Sequence, residues 1–130
     1  MKTYSEITQA MKGLRLTDAE CLALADAILY GAWGDSEVTF ADGALKYGWG
    51  YCTNDIRTGG HFRGRQISAL CSSISRKATA AGCPWLMWCP DWWGDGTGDM
   101  MFIADDFLSY DEAVAWAHAA TAQLGSTPLK

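Results

Sequence analysis

The 130-residue sequence predicts an α+β fold, ordered α-α-β-β-α-β-β-α, in which helices pack against a small antiparallel sheet. Three observations predict this class. Capping signatures of the Ser/Thr-x-x-Glu type stand before apolar segments of helical period. Short apolar strands are separated by glycine-rich turns, which is typical of hairpins. The connections between these segments are short, which favours antiparallel neighbours.

The composition is that of one folded domain covering residues 1–130. Hydrophobic residues make up 49 % of the chain and include seven tryptophans, which excludes a disordered protein. No apolar run approaches the ~20 residues of a membrane-spanning helix, so we expect no membrane association. No secretory signal opens the sequence and its five cysteines are irregularly spaced, which predicts the reducing cytoplasm as the compartment. Residues 1–2 and 126–130 are expected to be frayed.

Two helices are predicted in the first third of the chain. The first begins at a capping box, Thr3–Glu6, and ends near Lys12, before Gly13. A second capping box, Thr17–Glu20, precedes an apolar run in which only Asp26 carries a charge. This second helix is predicted to be the central one of the fold.

The first hairpin is predicted to join Glu37–Phe40 to Leu45–Tyr51 through an Asp-Gly turn. That dipeptide readily adopts the positive φ values that tight hairpin turns require. In the second strand, glycines alternate with Tyr47, Trp49 and Tyr51. The glycines weaken the strand, while the alternation places three aromatic rings on one face.

The second hairpin is predicted from Pro84–Cys89 and Met100–Ala104, which are apolar on both faces. We therefore expect this hairpin to be covered on both sides, by helices or by a second protomer. The turn between the two strands has the sequence PDWWGDGTGD. A last helix is predicted from the capping box Ser109–Glu112 to about Leu124.

A basic helix lies between the two hairpins. The window Arg57–Ala81 holds five positive residues and no Asp or Glu in a chain of net charge −5, so the remaining residues carry −10. Apolar residues recur in it at helical spacing, which predicts one buried stripe of Ile67, Leu70, Cys71, Ile74, Ala78 and Ala81. The opposite face comprises Arg65, Gln66, Ala69, Ser72, Ser73 and Arg76. Small and polar residues beside arginines allow close approach to a phosphate backbone or to base edges.

The segment from Gly64 to Asp105, a basic helix followed by a hairpin with a charged tip, resembles the recognition helix and wing of the winged helix-turn-helix superfamily. In that superfamily the helix enters the major groove of DNA and the wing touches the backbone or the minor groove. The resemblance implies that the nucleic-acid contacts are Arg63, Arg65, Gln66, Ser72, Ser73, Arg76 and Lys77. The alternative interpretation is a solvated basic face that balances acidic neighbours.

The tip of the second hairpin is a candidate site for a protein partner. It combines tryptophans with carboxylates: Asp91, Trp92, Trp93, Asp95 and Asp99. Tryptophan is enriched at the energetic centres of interfaces. The alternative is that the rings fill the core, which we expect for Trp85 and Trp88 and leave open for Trp92 and Trp93.

The sequence carries no enzyme, cofactor or metal signature. The aspartates of the hairpin tip lack the spacing of an EF-hand calcium loop, and the cysteines form no C-x2-C pair for zinc. Cys52 and His61 would form a nucleophile pair only if the fold brought them together, and no motif surrounds either residue. We therefore expect no catalytic residue, no cofactor and no metal.

Three functions follow from these patterns. The first is a non-enzymatic binding or regulatory module that contacts nucleic acid through the basic helix. The second is a small acidic inhibitor of the antirestriction or anti-CRISPR type, as found in phages and mobile elements, that occupies the cationic groove of a nucleic-acid-processing protein. The third is a structural or accessory homodimer formed through the Trp-rich hairpin.

Overall fold

The computed structural model describes residues 9, 13–40, 43, 45–53, 60–62, 65–83, 85–95, 98–104 and 109–124, apart from the side chains of residues 32–36 and 123–124. The elements in chain order are α1 (Asp18–Tyr30), β1 (Ala32–Thr39), β2 (Leu45–Cys52), α2 (Arg65–Ala80), β3 (Leu86–Cys89), β4 (Met100–Ala104) and α3 (Tyr110–Leu124). The predicted α+β class, and the element order from the second predicted helix onward, are confirmed. The first predicted helix lies outside the described residues apart from Gln9, which is helical, and its predicted end before Gly13 is wrong because Gly13 is helical too. The termini expected to fray lie outside the described residues.

Helix α1 begins at the predicted capping box. The Glu20 N–H donates to Thr17 Oγ1 at 3.1 Å, and the Thr17 N–H donates to Glu20 Oε1 at 3.0 Å. Two backbone donors at the helix start, which have no partner within the helix, are thereby satisfied. Every residue from Leu22 to Ile28 is buried, and α1 packs against both α2 and α3. Helix α1 is therefore the central helix of the described fold, as predicted.

The four strands form one antiparallel sheet in the order β1-β2-β4-β3. Strand β4 lies inside this sheet, and all its residues from Met100 to Ala104 are fully buried. The expected cover on both faces is thus confirmed for β4, whereas Met87, Trp88 and Cys89 on the edge strand β3 are half-buried. Trp85, just before β3, is buried as predicted.

Strand β1 begins five residues earlier than predicted. The sequence predicts a start at Glu37, but the strand begins at Ala32, which pairs with Tyr51. The extra segment contains Gly34 and Asp35, two residue types of low strand propensity. Antiparallel pairing with β2 outweighs that propensity, and a register shift between Ala32 and Gly34 marks an irregularity near the start of the strand.

Gly48 allows two neighbouring parts of the fold to come close to β2. A Cβ atom built at this position would lie 2.8 Å from the Ile103 carbonyl oxygen and 3.2 Å from Phe40 Cζ. A side chain of any size would therefore collide with the backbone of β4. The glycine that weakens the strand by propensity is required here for packing.

Helix α2 presents the predicted apolar stripe to the core. The buried residues are Ile67, Cys71, Ile74 and Ala78, with Leu70 half-buried. The assignment of Ala81 to this stripe is wrong, because the helix ends at Ala80 and Ala81 is exposed. The chain then turns through Gly82, whose φ of 73° is favourable only for glycine.

Candidate functional site

The outer face of α2 keeps part of the predicted basic surface. Its exposed residues lie on one side of the helix and are Arg65, Gln66, Ala69, Arg76, Thr79 and Ala80. Arg76 Nη1 donates to Ser72 Oγ at 2.7 Å, four residues earlier, so its guanidinium lies along the helix. Arg65 and Arg76 are therefore the described cations that this face offers to a partner, while Arg63 lies outside the described residues.

Ser73 and Lys77 turn away from the outer face and toward α1. Ser73 Oγ donates to Glu20 Oε2 at 2.8 Å, and Lys77 Nζ forms an ion pair with Glu20 Oε1. Lys77 also donates to the Arg15 carbonyl oxygen at 3.5 Å. The placement of Ser73 on the outer face is thus wrong, because a buried glutamate across the helix interface needs hydrogen-bond donors.

Glu20 is buried and remains ionised through these contacts. Burial acts to raise the pKa of Glu20, but hydrogen bonds from Lys77, Thr17 and Ser73 outweigh it and lower the pKa from 4.5 to about 2. The carboxylate therefore neutralises Lys77 at neutral pH. Lys77, one of the residues predicted to contact nucleic acid, thus joins α2 to α1.

The tip between β3 and β4 is held in place by Asp99. Asp99 Oδ1 accepts the Asp91 N–H at 2.9 Å, and Asp99 Oδ2 accepts the Ser68 hydroxyl at 3.1 Å. The Thr53 N–H donates to the Asp99 carbonyl oxygen at 3.1 Å. Asp99 thus braces the tip against α2 and against the end of β2, and its carboxylate is engaged inside the molecule.

The remaining four residues of the predicted partner site form an exposed turn, which we call the Trp tip: Asp91, Trp92, Trp93 and Asp95. Trp92 is 39 % exposed and Trp93 is 43 % exposed, so neither ring fills the core. One edge of Trp92 packs against Phe102, with ring centroids 4.8 Å apart at 61°. Asp91 adopts a φ of 51°, which few residue types other than glycine, asparagine and aspartate adopt readily.

The Trp tip lies beside the first turns of α2. Ser68, which binds Asp99, stands three residues after Arg65, about 5 Å along the helix axis and on the same side. The Trp92 N–H donates to the Gly98 carbonyl oxygen at 3.1 Å, which ties Trp92 to the residue preceding Asp99. The hydrogen bonds from Asp99 to Ser68 and Asp91 therefore connect the Trp tip to the end of α2 at which Arg65 stands.

A pair that the sequence did not predict joins α1 to the loop before α2. The fully buried Asp26 accepts the His61 N–H at Oδ2, 2.6 Å away, and its Oδ1 lies 2.8 Å from His61 Nδ1. This geometry fits the histidine tautomer in which Nδ1 carries the proton and donates to the carboxylate. Among the described residues, no hydrogen bond joins His61 to Cys52, so the pair considered from the sequence is not found there.

The sequence also raised the questions of a metal site, of reactive cysteines and of a membrane-spanning helix. No group of three or more His, Cys, Asp or Glu residues there is placed to hold a metal ion. All five cysteines are free thiols, and burial raises the pKa of Cys71 to about 12, which keeps it protonated. Among the described helices, none is long and apolar enough to cross a membrane.

No protein-family model, curated protein or solved structure matches the chain. The resemblance to the winged helix-turn-helix superfamily therefore stays a prediction. The hairpin that would be its wing contributes two of the four strands of the sheet, and residues 91–95 at its tip are exposed.

Proposed function

We propose that this protein is a non-enzymatic binding module that contacts a protein partner through the Trp tip and the adjoining first turns of α2. The observation that carries the proposal is the pair of exposed tryptophans on a braced turn. Large aromatic side chains are usually withdrawn from water, and a solvent-exposed pair of them marks an interaction site. Tryptophan and arginine are also the residues most enriched at binding hot spots, and Arg65 stands one helical turn before Ser68, which binds Asp99 at the base of the tip.

The bracing of the tip favours tight binding. Asp99 fixes the Asp91 amide and the Ser68 hydroxyl at once, and Trp92 rests on the buried ring of Phe102. A turn that is already ordered loses little conformational entropy when a partner binds. Such preorganisation is characteristic of high-affinity protein contacts.

The charge of the tip favours a cationic partner. Asp91 and Asp95 are exposed there, and the chain carries a net charge of −5. A protein whose surface normally holds nucleic acid offers the complementary positive field. An acidic inhibitor of the antirestriction or anti-CRISPR type fits this chemistry. The five free thiols support the cytoplasm as the compartment.

Nucleic acid is the second candidate ligand. Arg65 and Arg76 are exposed on one side of α2, and that helix contains no acidic residue. Two observations argue against a nucleic-acid ligand. Lys77 is neutralised by Glu20, and the carboxylates of the Trp tip would repel phosphates. For this reason the protein partner is preferred.

Two double variants separate the candidates. Tagged wild-type protein, Trp92→Ala/Trp93→Ala and Arg65→Ala/Arg76→Ala are used for affinity capture from expressing cells, with Thr79→Ala as an exposed control on α2. We expect one partner protein to be lost, with at least about 30-fold lower recovery, in the tryptophan variant and kept in the control.

The same proteins are then titrated against labelled single-stranded and duplex DNA and RNA by fluorescence anisotropy at several salt concentrations. We expect no specific binding. Binding that falls steeply with salt and disappears in Arg65→Ala/Arg76→Ala would overturn the protein-partner proposal in favour of nucleic acid.

A further inference from the structure

A second exposed aromatic surface lies on strand β2. Leu45, Tyr47, Trp49 and Tyr51 alternate onto one face of the sheet. Their exposure falls along the strand, from 66 % at Leu45 and 59 % at Tyr47 to a half-buried Trp49 and a buried Tyr51. The rest of the protein therefore covers Tyr51 at the end of β2 and leaves Leu45 and Tyr47 at its start exposed. We call the exposed Tyr47 and Tyr110 together with the half-buried Trp49 the β2 aromatic surface.

This surface is separate from the Trp tip. Trp92 packs on Phe102, and Phe102 pairs with Gly50 in the sheet. Directly paired residues share a face, and Trp49 precedes Gly50 by one residue, so its ring points to the opposite face. A ligand at the β2 aromatic surface therefore leaves the Trp tip open.

Two rings of the β2 aromatic surface are in contact, and the third lies next to them on the same face of β2. Trp49 and the first residue of α3, Tyr110, have ring centroids 4.9 Å apart and planes inclined at 45°, and Tyr110 is 37 % exposed. Tyr47 is the next residue on the same face, about 7 Å along the strand. Its hydroxyl donates to Glu37, which stands directly opposite on β1, and this bond raises the pKa of Tyr47. The Tyr47 ring is thus anchored although it is exposed.

Negative charge borders these rings, and the described neighbouring elements β1 and α3 contain no lysine or arginine. Glu37 and Asp111, the residue after Tyr110, are both exposed. Neither β1 nor α3 contains a lysine or arginine, and Lys46 of β2 alternates with Tyr47 onto the other face. Aromatic faces carry partial negative charge, so rings and carboxylates together produce an attractive field for a cation.

We propose that the β2 aromatic surface binds an organic cation of the alkylammonium type through the faces of Tyr47, Trp49 and Tyr110 and the carboxylates of Glu37 and Asp111. A methylated ammonium group sheds its water readily and suits aromatic faces, which is why such groups are bound by aromatic cages in other proteins. A second copy of this chain is disfavoured as the occupant, because a symmetric contact would bring the same carboxylates together.

The test titrates the full chain with choline and with 3,3-dimethylbutanol, its uncharged carbon isostere, while NMR follows the indole N–H signal of Trp49. We expect a saturable shift with choline and about fivefold or weaker binding of the isostere, as a cation–π contribution requires. Equal binding of the two compounds, or no saturable shift with choline, would overturn the proposal.

Variants separate a cation site from a merely apolar surface. Glu37→Gln and Tyr47→Ala should each weaken choline binding several-fold, while Tyr47→Phe should keep most of it because the ring remains. Leu45→Ala is the matched control, since Leu45 is exposed on the same face but carries no π system. If Leu45→Ala weakens binding as much as Tyr47→Ala does, the surface is apolar and the cation proposal is wrong.

A peptide carrying trimethyl-lysine, with its unmethylated form as control, identifies the source of the cation. Binding of the methylated peptide at least tenfold tighter than that of choline assigns the cation to a protein segment, whereas equal affinities assign it to a small molecule. Trp92→Ala/Trp93→Ala should leave choline binding unchanged, so the cation proposal is tested independently of the proposal for the Trp tip.

Discussion

Glu20 connects the start of α1 with the last turns of α2, and its ionisation governs the strength of that connection. Its pKa is about 2 in the folded protein and 4.5 ordinarily, so the ionised form stabilises the fold. This contribution, on the order of 3 kcal/mol, is complete above pH 4.5 and is lost as the pH falls toward 2.

Urea unfolding across that pH range measures this contribution. The free energy of unfolding of Glu20→Gln should lose most of the pH dependence that wild type shows between pH 4.5 and about 2. Arg76→Ala, one residue away from Lys77 but exposed, should keep it. Parallel curves for wild type and Glu20→Gln would show that Glu20 does not carry the effect.

The pair of Asp26 and His61 makes a second prediction at the scale of single residues. His61→Ala removes the ring that faces Oδ1 of a fully buried carboxylate, and we expect it to lower the free energy of unfolding by about 2–4 kcal/mol. Asp26→Leu/His61→Ala should recover part of that loss, because it removes the stranded charge as well. A change below about 0.5 kcal/mol in His61→Ala would mean that the pair contributes little.

The sequence indicated half of this pair. Asp26 is the one charge in the apolar run that follows the capping box of α1, and a buried carboxylate needs a hydrogen-bond partner. Its partner stands 35 residues later in a loop, so no local spacing points to it. The same limit applies to Ser73 and Lys77, which were predicted to contact nucleic acid and instead contact Glu20, 53 and 57 residues earlier in the chain.

At the scale of elements, the hairpin tip depends on Asp99. Asp99→Ala removes the acceptors of the Asp91 amide and of the Ser68 hydroxyl, so the tip should open more often. We expect hydrogen exchange at the Asp91 amide to accelerate by about 10-fold or more, which corresponds to 1.4 kcal/mol or more of local stability. Ser68→Ala should have a smaller effect. Ser72→Ala, one turn further along α2, is the control and should leave this amide unchanged.

Gly48 tests the contact between β2 and β4. Gly48→Ala places a Cβ atom 2.8 Å from the Ile103 carbonyl oxygen, and strand backbone cannot yield easily inside a sheet. We expect a loss of about 1–3 kcal/mol in thermal or urea unfolding. Gly13→Ala is the matched control, because nothing lies within 4 Å of its added Cβ and the residue is helical. Equal stabilities of the two variants would contradict the close approach.

Elements with strong local signals were predictable from the sequence. The capping box fixed the start of α1, and the 3 and 4 residue spacing fixed the buried side of α2. The first five residues of β1 were not predictable, since Gly34 and Asp35 are poor strand formers whose pairing is decided by the neighbouring strand. The three rings on one face of β2 were expected, but their exposure depends on where α3 begins.

At the scale of the whole molecule, the fold redistributes charge that is segregated along the chain. Five positive residues cluster between Arg57 and Lys77, yet Glu20 neutralises Lys77, and Asp99 at the base of the Trp tip binds Ser68, one helical turn after Arg65. The predicted contrast between one basic and one acidic surface is replaced by a mixed surface with tryptophans. That arrangement is typical of protein interfaces, which are enriched in aromatic residues and arginine.

Site-specific photocrosslinking tests the proposed partner surface. A p-benzoylphenylalanine placed at Trp93 keeps an aromatic ring at the Trp tip, and the same residue placed at Thr79 probes the other end of α2. Irradiation of expressing cells should give a discrete protein adduct from position 93 that resists nuclease and is missing from position 79. An adduct that nuclease removes, or identical adducts from both positions, would contradict a protein-binding function of the Trp tip.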